Sequence, residues 1–133
     1  MTKNTFYRDL YIQVEALINE EADVIANMAN VSALLFEQLT EVNWVGFYRR
    51  VNDELVLGPF QGKVACIRIP LGRGVCGTAA IENSVQRVAD VHEFDGHIAC
   101  DASTNSEIVL PLTLNGKVIA VLDIDSMAFN RFD

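Results

Sequence analysis

Residues 108–124, IVLPLTLNGKVIAVLDI, read as two runs of strand formers on either side of Asn115-Gly116. Asn-Gly suits the two left-handed positions of a tight turn, so Ile108 to Leu114 and Lys117 to Ile124 are predicted to fold back as an antiparallel hairpin. A two-residue turn pairs Leu114 with Lys117, and counting back along the ladder sets Ile108 opposite Asp123. Upstream of the hairpin, Trp44 to Tyr48 is rich in β-formers, Asn52-Asp53 signals a turn, and Glu54 to Leu57 reads as the returning strand. Val64 to Ile69 and Val85 to Val88 read as shorter strands, with a helical stretch from Thr78 to Glu82 between them.

The N-terminal stretch has a different period. Phe6, Leu10, Val14, Leu17 and Ile18 fall on one helical face, and Ile25, Met28, Val31, Leu35 and Leu39 repeat the pattern after the acidic break at Asn19-Glu20-Glu21. The reading is an α+β domain, with about six mainly antiparallel strands and two N-terminal helices packed on one face of the sheet.

With 133 residues, half of them apolar, the chain is sized for one domain. Ten basic against 18 acidic residues give a net charge of -8, and the basic residues are scattered, which argues against binding nucleic acid. No apolar run approaches the length of about 18 residues that a membrane span needs, and MTKNTFYRDLYIQ lacks the apolar stretch of a secretory signal, so no membrane association is expected and the expected location is the cytoplasm. Three cysteines, Cys66, Cys76 and Cys100, cannot all pair within one chain, which leaves them as free thiols, metal ligands or redox-active groups.

Period-two geometry places Asp123 and Asp125 on one face of the last strand together with Ile119 and Val121. The hairpin brings Glu107 within one or two residues of Asp125 across the ladder, so three carboxylates converge at one end of the sheet. Either they meet a ligand there or the strand emerges into water at Asp123. Cys100, in HIACDASTNSE (97–107), enters the same end from a polar loop, an odd setting for a residue that is ordinarily buried.

Other constellations are weaker. GRGVCG (72–77) has glycines that would let backbone N–H groups approach an anion, yet it lacks the spacing of a nucleotide loop. Cys66, Cys76 and Cys100 with His92 or His97 offer zinc-ligand types without the paired spacing of a structural site, so no metal or other cofactor is expected. Trp44, Phe47 and Tyr48 could wall a small-molecule pocket or form sheet core.

NWVGFY (43–48), LGPFQGKVACIRIPLGRGVCG (57–77), DVHEFDGHIACDASTNSEIVLPL (90–112) and VLDIDS (121–126), in this order, resemble the free methionine-R-sulfoxide reductase family, whose fold is a GAF domain. The resemblance implies a thiol enzyme that reduces the R epimer of free methionine sulfoxide, with Cys100 as the attacking thiol, Cys66 as the resolving thiol and Cys76 as an auxiliary or alternative resolving thiol. It further implies that Glu107, Asp123 and Asp125 form the acidic cluster at the substrate, that Trp44 and Tyr48 form its aromatic wall, and that thioredoxin is the reductant. In such chemistry a thiolate attacks the sulfoxide sulfur, leaving a sulfenic acid that a second thiol converts to a disulfide. The family continues into a C-terminal helix whereas this chain stops at Asp133, so a single GAF-like domain over residues 1–133 without that helix is expected, and a homodimer could cover the contact surface. Two other readings compete: a GAF module that senses a small ligand without chemistry, and a peroxide sensor acting through its cysteines.

Overall fold

The computed structural model describes residues 2–98, 100 and 102–133; Ala99 and Asp101 of the Cys100 loop, like Met1, lie outside the described residues. Helices α1 (Lys3–Ile18) and α2 (Val24–Gln38) begin at Thr2 and Asp23, whose side chains accept from the backbone N–H of Thr5 and Ala26. Strands β1 (Trp44–Val51), β2 (Glu54–Gly62) and β3 (Arg68–Pro70) follow, then helix α3 (Gly74–Glu82), strand β4 (Gln86–Val88), a 3-10 turn at Val91–Glu93, and the hairpin β5 (Ser106–Leu114) and β6 (Lys117–Ser126). The six strands form one antiparallel sheet in the order β3-β2-β1-β6-β5-β4, the α+β architecture expected.

The sheet separates two cores. On one face Leu10, Met28, Val31 and Leu35 of the N-terminal helices pack on Val45, Phe47, Ala120 and Ile124. Leu17 and Ile25, assigned to the same faces by periodicity, are exposed, while Ile18 packs against this core. On the other face α3 packs through Val75, Cys76, Ala79 and Ala80 against Trp44, Tyr48, Val109 and Val121. Alternation along β1, β5 and β6 sends successive residues to opposite cores, so the second face is built from even-numbered positions of β1, Trp44 and Tyr48, and from odd-numbered positions such as Val109 of β5 and Val121 of β6. No helix is long and apolar enough to cross a membrane.

Asn115 and Gly116 adopt positive φ, as the tight turn requires, and Leu114 does pair with Lys117. The ladder then departs from the regular count. Leu112 pairs with Ala120 while Thr113 pairs with Val118, leaving Ile119 as an extra residue of a β-bulge. Beyond the bulge every pair is displaced by one: Ile108 faces Ile124 rather than Asp123, and Glu107 lies directly across from Asp125. The bulge also reverses the face of the turn-proximal residues. Val118 joins the core beneath α3, and Ile119, expected beside Asp123, is 46% exposed.

Three shorter elements differ from their expected bounds. Helix α3 starts at Gly74 instead of Thr78, since packing against β5 and β6 overrides the weak helix propensity of glycine. β3 is confined to Arg68–Pro70, and Val64 to Ile67 form an irregular loop outside the ladder. The start of β4 falls one residue later than Val85.

Candidate active site

A cleft of about 530 Å³, counted with its open mouth, lies between the α3 face of the sheet and the loops carrying Cys66 and Cys100. Trp44 and Tyr48 reach it from β1, Glu107 from β5, and Asp123 and Asp125 from β6. Cys76 and Cys100 also line it. The structure therefore gathers the acids, Trp44, Tyr48, Cys76 and Cys100 in one place, whereas Phe47 packs in the core under the N-terminal helices, and Cys66 is joined to Cys100 by a disulfide with Cα atoms 5.5 Å apart.

The aromatic wall is held by packing and by hydrogen bonds at its polar tips. Trp44 stacks on Phe60 with ring centroids 5.2 Å apart and on Tyr48 at 5.9 Å. Gly46 makes this possible: a Cβ there would come within 2.6 Å of the Trp44 ring and 2.3 Å of the Phe60 Cβ. Trp44 Nε1 donates to the Lys63 carbonyl at 3.0 Å, and the Tyr48 hydroxyl donates to the Cys66 carbonyl at 3.0 Å. Burial, followed by the nearby charge of Asp123, pushes the Tyr48 phenol far above its ordinary range, so this donor keeps its proton. Both aromatics thus pin the loop that carries Cys66.

The carboxylates are buried to different depths. Glu107 and Asp123 are 7% and 5% exposed, while Asp125 is half-buried. Asp123 is held well above the usual carboxylate range, first by burial and next by the charge of Asp125, and it shares a hydrogen bond with Glu107. Its Oδ1 is buried and has no hydrogen-bond partner among the described residues. An unsatisfied buried acceptor costs roughly 1–3 kcal/mol, so this oxygen is suited to a donor brought by a ligand.

Cys76 is a free thiol on α3, fully buried, with its Sγ 3.9 Å from Glu107 Oε2. Burial foremost, then the charge of Glu107, pushes its pKa up, so it stays protonated. Cys76 Sγ and oxygens of Glu107 and Asp123 lie within 4.8 Å of one another, a compact set of acceptors for a cation. The zinc grouping of three cysteines and a histidine does not assemble: Cys66 and Cys100 are tied to each other, and His92 Nδ1 contacts Asp90 at 2.8 Å.

Sequence reasoning missed part of the cleft lining. Arg73, Gly74 and Val75, the first turn of α3, line it, and Arg73 supplies no side-chain cap to the helix. Uncapped N–H groups at a helix start favour an anion, so the cleft combines an acidic cluster with a helix start suited to negative charge. The glycines of GRGVCG were the signal for this, although the ligand they first suggest is a phosphate. Thr104, buried beside the cleft and accepting from Asn43 Nδ2 at 3.1 Å, gave no sequence signal of its own.

The GAF domain family matches residues 26–133. The free methionine-R-sulfoxide reductase of Escherichia coli (strain K12) is 61% identical over 99% of this chain and 80% of its own length. Among solved structures, free methionine-R-sulfoxide reductase from Neisseria meningitidis in complex with its substrate is similar with a TM-score of 0.96 and 46% identity, over 100% of this chain and 80% of that one. The fRMsr of Staphylococcus aureus in complex with substrate gives a TM-score of 0.91 and 54% identity, covering 96% of this chain and 83% of its own.

Proposed function

This chain belongs to the GAF-domain family of free methionine-R-sulfoxide reductases, and from that premise we propose that it reduces free L-methionine-(R)-S-oxide to methionine through its own cysteines. The observation that carries the reading is one cleft that combines a disulfide sulfur, an acidic cluster, an aromatic wall and an uncapped helix start. A free amino acid matches both features. Its ammonium fits the carboxylates of Glu107 and Asp125, and its carboxylate fits the first turn of α3 beside Arg73. A methionine residue within a peptide has neither charged group.

The roles follow from position and protonation. Cys100, the sulfur on the cleft side, attacks the sulfoxide sulfur as a thiolate. The oxygen passes to Cys100 as a sulfenic acid while the substrate gains two electrons and leaves as the thioether. Cys66 then attacks the sulfenic sulfur, the oxygen departs as water, and the Cys66–Cys100 bond forms. Asp123, which burial keeps protonated, supplies a proton to the sulfoxide oxygen, and Glu107 and Asp125 hold the ammonium. Trp44 and Tyr48 pack on the thioether chain. Cys76, buried and protonated, serves as a slower, secondary resolving thiol.

Thioredoxin is the proposed reductant, and the proposed setting is the cytoplasm, with residues 1–133 acting as one GAF domain that assembles as a homodimer. The test is NADPH consumption coupled through thioredoxin reductase and thioredoxin, with the R and S epimers of free methionine sulfoxide supplied separately. Turnover with the R epimer alone is expected. Binding of the sulfoxide without loss of free thiols would leave a ligand-sensing module instead, and thiol loss with peroxide but not with sulfoxide would leave a peroxide sensor.

A further inference from the structure

The loop from Lys63 to Ile67 exposes apolar surface next to the disulfide. Val64 is 86% exposed and Ile67 is 67% exposed, on either side of Cys66. A mobile loop could shelter such side chains, but this one is fixed at three points: Lys63 and Cys66 carbonyls accept from Trp44 and Tyr48, and the Ile67 carbonyl accepts from the Leu57 N–H at 2.9 Å. Two β-branched apolar side chains are therefore held in a set geometry, Val64 at the mouth of the cleft and Ile67 outside it, with little left to order on association. The two sulfurs also face different ways. Cys100 lines the cleft, whereas Cys66 is absent from the cleft wall and belongs to the exposed loop. Lys63 precedes this loop and Arg68, which pairs with Glu54, follows it, in a chain whose net charge is -8.

We infer that Lys63, Val64 and Ile67 form the docking surface for the protein dithiol that reduces the Cys66–Cys100 bond, and that this dithiol attacks Cys66, not Cys100. The inference rests on the reductase reading, which requires that the disulfide be reopened each cycle. The partner it fits carries its reactive thiol on an apolar rim with acidic surroundings. Its thiolate attacks Cys66 Sγ, the S–S bond breaks, and Cys100 leaves as a thiolate on the cleft side, where the next substrate binds. The partner's second thiol then attacks its own sulfur in the mixed disulfide and releases Cys66. The partner is oxidised to a disulfide and this chain is reduced to two thiols, so two electrons are conserved. Substrate meets Cys100 within the cleft, and the reductant meets Cys66 on the loop at its mouth.

The experiment uses the full chain with thioredoxin as probe. Thioredoxin lacking its second active-site thiol, mixed with the oxidised protein, is expected to form a mixed disulfide that peptide mapping places on Cys66; a bridge to Cys100 would overturn the direction of attack. Ile67→Asp is expected to lower kcat/KM for thioredoxin by about tenfold, the usual effect of losing one anchoring contact, while turnover with dithiothreitol, a reductant too small to need a docking face, stays within about twofold. An unchanged thioredoxin constant would remove the docking surface. Wild-type protein that reduces no free methionine-R-sulfoxide with dithiothreitol would bring down the reductase reading and this inference together, an outcome plainly different from either of the others.

Discussion

Asp123 keeps a proton that an exposed carboxylate releases, and this sets both a catalytic and a stability expectation. Below its ordinary pKa of 3.8 the folded and unfolded chains both bind that proton; as pH rises the unfolded chain loses it first, because burial raises the folded value. The folded state then binds more protons, so stability contributed at this site is present at low pH and falls as pH climbs toward the raised pKa. Asp123→Asn removes the titration. Its melting temperature is expected to fall less than that of wild type between about pH 5 and pH 8, as followed by circular dichroism. The same variant, with Glu107→Gln, is expected to lose roughly 10²–10⁴-fold in kcat/KM, the range for a positioned acid, and wild type should show activity falling on the alkaline side as the proton is lost. Cys100→Ser should abolish single-turnover reduction with the fold intact, since serine forms no thiolate equivalent at neutral pH. Cys66→Ser should retain a slow residue of turnover through Cys76, and mapping the oxidised variant should find a Cys76–Cys100 bridge; a variant as fast as wild type would take Cys66 out of the resolving role.

Strand β1 shows how one element builds the cleft wall and what limits it. Gly46 leaves the space over which the Trp44 ring lies between Phe60 and Tyr48. Gly46→Ala should overpack this stack and cost about 1–3 kcal/mol in urea unfolding, with a raised KM for the sulfoxide because Trp44 must shift. Much of this element level was legible in the sequence. Asn115-Gly116 announces its turn because few residue pairs tolerate two positive φ values, and alternation in LDIDS places Asp123 and Asp125 on one face without any structural knowledge. The bulge at Ile119 was not legible: Val118, Ile119 and Ala120 are all compatible with a regular strand, and what expels Ile119 is the fit of β6 between β1 and β5. Nor could spacing alone join Cys66 to Cys100, 34 positions apart, since that distance is closed by the packing of α3 and its flanking loops. The start of α3 was hidden for a related reason, as its glycines weigh against a helix until the sheet beneath supplies the contacts.

At the scale of the molecule, the disulfide ties β3, α3 and β4 into one closed loop beneath the cleft. Removing that constraint frees the unfolded chain, so the oxidised protein should be more stable than the dithiol form by about 2–4 kcal/mol. Denaturant titrations with and without dithiothreitol measure the difference, and equal midpoints would mean that the reduced loops are held equally well by other contacts. The N-terminal helices, on the far face of the sheet, should show the smaller change in hydrogen exchange between the two states. The sheet thus separates a scaffold face from the face that carries the cleft and the disulfide. Trp44 is the only tryptophan in the chain, and it stands on the cleft face in contact with the loop of Cys66. Its emission consequently carries no background from elsewhere in the protein, which makes this molecule its own optical reporter: occupancy of the cleft and opening of the disulfide can be timed separately in a stopped-flow fluorimeter without any attached dye.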